Sequence, residues 1–340
     1  MTTLSELRRP PFDPEIAAAL AEHASEVVVG VPDGGVASLH DRHVEPDLGP
    51  LAGRYRIEEM VASGTSGTSG TVDVPVLVLR PRDATGPVPV IVHLHGGGLV
   101  TGSVRDNVLD ACELADEVGA AVVSVDYRLA PAHPYPAALE DAYAALEWVA
   151  DQASSLGFDP DRVLLGGISA GGGLAAAVTL AVRERGGPAL AGQLLVCPML
   201  DDRDGDGSPA QMRGHGSWDA DVNREAWRAY LGDAQGGPDV PATAAPAREP
   251  DLSGLPPTFV DVGSAETFRD ECVAYAARIW AAGGDAELHV WPGGCHAFDV
   301  FVPGAALSRA SRAARRAWVR RLLGPREPAG ANPPAAFPTL

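Results

Sequence analysis

A chain of 340 residues, 46% hydrophobic and 21% charged, is long enough to bury a large core without disulfide or metal staples. Its formal net charge of −19 argues against nucleic acid or an anionic membrane surface as a standing partner, because both are polyanions. The four cysteines, Cys112, Cys197, Cys272 and Cys295, show no metal-ligand spacing; with no signal-like N-terminus and no apolar run of about 18 residues, a reducing, cytoplasmic setting with free thiols is expected.

In chain order, residues 1 to about 50 are helix-poor, with one amphipathic stretch near Pro14 to Ala24. The short repeat GTSGTSG, Gly64 to Gly70, reads as a flexible hairpin loop. From there strand-like and helix-like segments alternate. Apolar runs starting at Val74, Val88, Ala120, Arg162, Gly192, Pro257 and Ala286 read as strands, several of them buried on both faces. Helical patterns start at Pro136, Arg269 and Ala306, the first placing Leu139, Tyr143, Leu146 and Val149 on one stripe. This alternation predicts an α/β architecture, a mostly parallel sheet covered by helices on both faces. Residues 203 to about 240 interrupt it with a polar loop and a short helix, and the Pro- and Ala-rich tail from Gly324 is expected to be disordered.

Five glycines crowd one serine in LLGGISAGGGLAAAV, which begins at Leu164. Ser169 stands in a G-x-S-x-G pentapeptide, Gly167 to Gly171, after one apolar strand and before a helical run. A serine on so tight a strand-to-helix turn needs small neighbours two positions away on either side, and its hydroxyl is exposed near a helix N-terminus. A serine hydroxyl at neutral pH needs a base to become a nucleophile. Two histidines follow the insertion: His289 lies within a strand, and His296 lies in the Gly-rich loop after it and is the expected base. The base needs a carboxylate to orient it. Asp261, Glu266, Asp270 and Glu271 all follow or end the preceding strand, and Asp201 follows an earlier one; Glu266, in the connecting loop, is chosen. Oxyanion donors are expected from His95-Gly96-Gly97-Gly98, whose successive glycines expose bare N–H groups, and from the N–H of Ala170. His93 and His95 share a face at strand spacing but have no nearby acidic or thiol partner in sequence, so no metal is expected there and His95 is read as bracing the loop.

These segments together, HGGG at His95, DYRLAPAHPYPAALED from Asp126, GGISAGGG from Gly166 and PGGCHAF from Pro292, resemble the hormone-sensitive-lipase-like α/β-hydrolases, bacterial esterase family IV. The resemblance spans about Val74 to Leu323. It implies an α/β-hydrolase fold with a helical cap, Ser169 as nucleophile, His296 as base, and Gly97, Gly98 and Ala170 as oxyanion donors, with His95 and Gly96 in support. The family's acid motif usually opens with Asp; the matching stretch here is ETFRDE, so the resemblance places the acid at Glu266 and the chain in a branch with glutamate in that role. Ile168 and Cys295 also depart from the commoner residues at their positions. By position, residues 1–50 match an N-terminal cap segment and 203–240 a cap insertion, leaving 51–202 and 241–323 as the two parts of a catalytic core and 324–340 as a tail. Trp218, Met212 and Trp227 are candidates to line the cap or to pack in the core.

The activity expected from this reading is hydrolysis of short- to medium-chain carboxylic esters, small-molecule substrates, through an acyl-enzyme and without a cofactor. An amidase or lactonase on the same triad, and a non-catalytic small-molecule receptor on this scaffold, are the alternatives. A homodimer is suggested by analogy with relatives.

Overall fold

The computed structural model describes residues 8–23, 30–41, 43–66 and 70–325. From residue 326 onward the expected disordered tail lies outside the described residues.

Eight strands form one sheet: β1 (Tyr55–Ser66), β2 (Gly70–Pro81), β3 (Val88–Leu94), β4 (Ala121–Val125), β5 (Phe158–Ile168), β6 (Gly192–Val196), β7 (Thr258–Gly263) and β8 (Ala286–Trp291). Their spatial order is β1-β2-β4-β3-β5-β6-β7-β8. β2 pairs antiparallel with both β1 and β4, and every other pairing is parallel. The continuous apolar runs lie where both faces are covered: every residue of β3, β4, β6 and β7 is buried.

The helices are α1 (Pro14–Glu22), α2 (Ser38–Asp41), α3 (Val108–Asp116), α4 (Ala137–Asp151), α5 (Ala153–Leu156), α6 (Ala170–Arg185), α7 (Ser208–Gln211), α8 (Ala220–Leu231), α9 (Arg269–Ala281), α10 (Phe298–Phe301) and α11 (Ala306–Leu323). The step from β3 through α3 to β4 runs one way along the sheet, and the step from β4 through α4 to β5 runs back past β3. Right-handed crossovers in opposite directions put α3 and α4 on opposite faces. α6 packs with α4 and α11 packs with α3, so two helical layers enclose the sheet. Leu139, Tyr143, Leu146 and Val149 of α4 are all buried, as their spacing required. The direction of winding along the sheet reverses between the parallel neighbours β3 and β5, and the crevice beyond their carboxyl ends is where an open α/β sheet leaves room for a ligand.

Besides the one-turn helices α2, α5 and α10, two longer elements escaped the sequence reading. β1 is an edge strand with Arg56, Glu58, Glu59 and Val61 exposed and only Tyr55 and Ala62 fully buried; its buried positions change parity between Ile57 and Met60, so no clean alternation marks it. α3 buries Val108, Ala111, Cys112 and Ala115, a helical spacing hidden among acidic residues. The Gly-Thr-Ser repeat caps the β1–β2 hairpin, but Gly64 to Ser66 pair within the ladder, Ser66 opposite Gly70, so part of it is strand; residues 67–69 lie outside the described residues. The 203–240 stretch carries α7 and α8 rather than a single helix. Its Met212 and Trp227 are buried in the interior, as the packing reading holds.

Candidate active site

Ser169 is the hinge between β5 and α6. Its backbone is at φ 59° and ψ −121°, a conformation an L-residue holds only when its surroundings impose it. The crowding explains the glycines: a Cβ at Gly171 would press on the carbonyl oxygens of Leu94 and His95, and one at Gly167 would press on the backbone of Gly171. The turn is pinned by the Ser169 N–H donating to Val196 O at 2.7 Å and the Met199 N–H donating to Ser169 O at 3.0 Å. The hydroxyl therefore projects at the start of a four-turn helix, where first-turn N–H groups lack intrahelical acceptors and the dipole favours negative charge.

His296 Nε2 lies 2.9 Å from Ser169 Oγ, and His296 Nδ1 lies 3.0 Å from Glu266 Oε1. All three side chains are buried. An ionised carboxylate can only accept, so the Nδ1 proton points at Glu266 and Nε2 is left as the acceptor facing the hydroxyl. The second carboxylate oxygen accepts from the Gly263 N–H at 2.9 Å, which fixes the acid on its loop. His296 is seated between rings, with Phe268 edge-on at 5.0 Å and Trp218 tilted at 6.4 Å.

The other sequence candidates for the acid are engaged elsewhere. Asp261 accepts from Trp291, Ser311 and Arg315. Asp270 accepts from the Ser208 N–H and from Arg269, Glu271 from the Leu200 N–H, and Asp201 from Arg203. His289 sits 2.8 Å from Glu287 and stacks on Trp291, on the far strand β8.

The glycine loop after β3 faces Ser169. Gly97 (φ 115°) and Gly98 (φ 63°) take a backbone that side chains resist, and a Cβ on Gly98 would strike the Trp218 ring. His95 braces this loop: its Nδ1–H donates to Gly96 O at 2.7 Å, Tyr127 OH donates to His95 O at 2.7 Å, and the two rings stack at 4.1 Å. Burial pushes the His95 imidazole down to about 3 and the His93 imidazole to about 4, so both stay neutral near pH 7. His93 Nε2 is committed to Asp106 O.

A cavity of about 1120 Å³ opens over the serine. Its floor is Gly97, Ile168, Ser169 and His296; the insertion contributes Ser217 and Trp218, and residues 30 to 46 contribute Pro32, Leu39, His43, Val44 and Pro46. Trp218 is thus the one of the three candidate cap residues that faces the cavity.

Sequence reasoning missed the residues that bolt these parts together. Ser217 Oγ donates to His296 O, and Thr267 Oγ1 donates to Trp218 O at 2.8 Å. Asp219 is fully buried and accepts four N–H groups, from Gly30, Gly214, Asp221 and Val222. Only the last two follow from sequence, as an N-cap pattern; Gly214 is five residues away on a loop with no such pattern, and Gly30 is 189 residues away.

The four cysteines are free and buried. Burial pushes the Cys295 thiol up to about 12, which makes it packing rather than a reactive group. Cys197, Glu266 and His296 hold potential ligand atoms within 4.8 Å of one another. Burial pushes the Cys197 thiol well up, away from the thiolate a metal would need, and the Glu266 carboxylate and His296 imidazole are bonded to each other.

A family model described as alpha/beta hydrolase fold matches residues 91–300. The chain is 39% identical over 282 residues to Carboxylesterase NlhH of Mycobacterium tuberculosis, covering 79% of this chain and 84% of that protein. It is 34% identical over 258 residues to Esterase LipI of the same organism, covering 76% and 79%. Among solved structures it is similar to Bacterial Heroin Esterase, with TM-score 0.82 and 33% identity over 95% of this chain and 99% of that one. The chain belongs to the α/β-hydrolase fold family, within its hormone-sensitive-lipase-like group.

Proposed function

We propose that the chain is a carboxylesterase that cleaves short- to medium-chain carboxylic esters through an acyl-enzyme on Ser169. The observation that carries this reading is the unbroken relay from Ser169 Oγ to His296 to Glu266, with both links at or below 3.0 Å. Ser169 Oγ attacks the ester carbonyl carbon while its proton passes to His296 Nε2, and Glu266 holds the imidazolium by its Nδ1–H. The negative charge that develops on the carbonyl oxygen is met by the N–H groups of Gly97, Gly98 and Ala170, each such donor being worth about 3 to 4 kcal/mol in the transition state. His296 Nε2–H then protonates the departing alkoxide. Water repeats the sequence on the acyl-enzyme, with His296 first as base and then as acid, and releases the carboxylic acid and the free serine.

Residues 1–50 and 203–240 act as the cap in this reading, a role supported by the cavity wall that both supply; 51–202 and 241–323 form the catalytic core. No helix among the described residues is long and apolar enough to cross a membrane, and a cytoplasmic site of action accords with the four free thiols. A homodimer joined through an edge of the sheet belongs to the same proposal; β8, an edge strand on which Val290 is exposed, is the edge that supports it, and light scattering tests it.

A fluorophosphonate should label Ser169 stoichiometrically, and Ser169→Ala should abolish both labelling and hydrolysis of p-nitrophenyl butyrate. Activity retained by Ser169→Ala overturns the proposal. A panel of esters, lactones and amides then fixes the leaving group.

A further inference from the structure

The relay stands on two separate loops, and its distances depend on how those loops are held relative to each other. Glu266 sits on the loop after β7, five residues beyond Asp261; His296 sits on the loop after β8, three residues before Asp299. Behind both, α11 sends in one buried guanidinium. Arg315 Nε lies 2.9 Å from Asp261 Oδ2, and its Nη1 lies 2.5 Å from Asp299 Oδ2. The side chains are 7%, 1% and 2% exposed, so water contributes little to the balance. Arg315, Asp261 and Asp299 share a single buried crevice with Glu266 and Cys197.

Neither carboxylate has a comparable cation elsewhere. Asp261 Oδ2 also accepts from Trp291 Nε1 at 3.1 Å and Ser311 Oγ at 3.0 Å, both neutral donors. Asp299 Oδ2 stands 3.8 Å from Arg312 Nε, which bonds its carbonyl oxygen and not its carboxylate at close range. Burial, opposed by Arg315 and reinforced by Asp299, raises the Asp261 carboxyl above the usual carboxylate range. Without the guanidinium two desolvated anions on the two loops would face each other, and the loops would separate or take up a proton or water. A planar fork can bridge two carboxylates; an ammonium on a flexible stem cannot hold both in one geometry.

We propose that Arg315 is a positioning residue for ester hydrolysis, acting through Asp261 and Asp299 to hold the Glu266 loop and the His296 loop at the spacing the relay requires. This rests on the relay reading above. Arg315 touches no substrate; its effect on the reaction is transmitted through the register of the imidazole.

The test compares Arg315→Met, Arg315→Lys and the neutral triple variant Asp261→Asn/Asp299→Asn/Arg315→Met, each normalised to active sites by fluorophosphonate titration. Arg315→Met should lower kcat by about 100-fold, the cost of roughly 1 Å of misplacement, with KM little changed. The low-field proton resonance of the His296 Nδ1–H should weaken or vanish with it, and Arg315→Lys should recover part of both. The triple variant removes the buried charges together, so it should fold even where Arg315→Met does not, and it should show the same kcat loss because the bridge is gone. Should any folded variant without the bridge keep wild-type kcat and the low-field resonance, the proposal is overturned, and a lowered melting temperature alone would make Arg315 merely structural. If Ser169→Ala is inactive in the same assay, that failure belongs to the positioning role; if Ser169→Ala is active, the relay reading itself has failed.

Discussion

His296 is useful as a base only in the tautomer with Nε2 unprotonated, and the structure leaves that choice to a single side chain, Glu266. Replacing it removes the orienting acceptor and the stabilisation of the imidazolium while leaving nucleophile, loop and cavity in place. Glu266→Ala should therefore lower kcat by roughly 10³- to 10⁴-fold. The lost acceptor for the Gly263 N–H adds a stability cost of about 1–3 kcal/mol, so the variant should still melt cooperatively by circular dichroism; near-normal turnover would refute the assignment. At this scale the serine and histidine were legible because each sits in a glycine-rich loop after a strand. The acid was legible only as one of five carboxylates. What separates them is which N–H groups and guanidinium groups reach them in three dimensions: Asp261 is claimed by α11 and Glu271 by the Leu200 N–H, partners that no local pattern announces.

Between elements, the joint that matters is Asp219. One of its oxygens caps α8 through Asp221 and Val222, and the other holds the Gly30 and Gly214 N–H groups, so one buried carboxylate ties together the 30–46 segment, the insertion and the helix beside Trp218. Asp219→Ala should destabilise the fold by about 1–2 kcal/mol through the lost cap alone, read as a lower urea midpoint. It should also raise KM more than it lowers kcat, because the cavity wall loosens while the relay is untouched. An unchanged KM would mean that the 30–46 wall is held by its other contacts, such as the 3.2 Å approach of His43 to Asp106. The core strands could be read in advance since burial on both faces leaves a run of Val, Ile and Leu. β1 could not, because an edge strand alternates only weakly and this one carries charge on much of its length.

Across the whole molecule, the buried histidines give stability a pH dependence that can be isolated by substitution. His93 titrates at about 4 when folded, against an ordinary value of 6.5. The unfolded chain binds that proton first, so the site contributes full stability above pH 6.5 and loses it as pH falls towards 4. His93→Gln removes the effect. Relative to wild type, the variant should gain on the order of 3 kcal/mol between pH 7 and pH 4, measured as the difference in urea unfolding free energies. A gap that stays constant with pH would show that His93 is not held neutral. Carboxylates that burial shifts upward, such as Asp110 at about 6, oppose this trend in the wild type, which is why the comparison must be between variants.

Described residues before β1 touch the rest of the molecule at two places near the site. The Asp13 N–H donates to Gly293 O, three residues ahead of His296, and α1 packs Ile16 against Cys295 and Phe298; residues 30 to 46 contribute Pro32, Leu39, His43, Val44 and Pro46 to the cavity wall. The cavity over Ser169 therefore draws its wall from residues 30 to 46 as well as from the insertion and the loops of the sheet. Under the proposed cap role, exchanging the wall residues ahead of position 50 should shift which esters are admitted while Ser169, His296 and Glu266 stay in place, whereas clipping the segment also takes Val36 and Leu48 out of the main core.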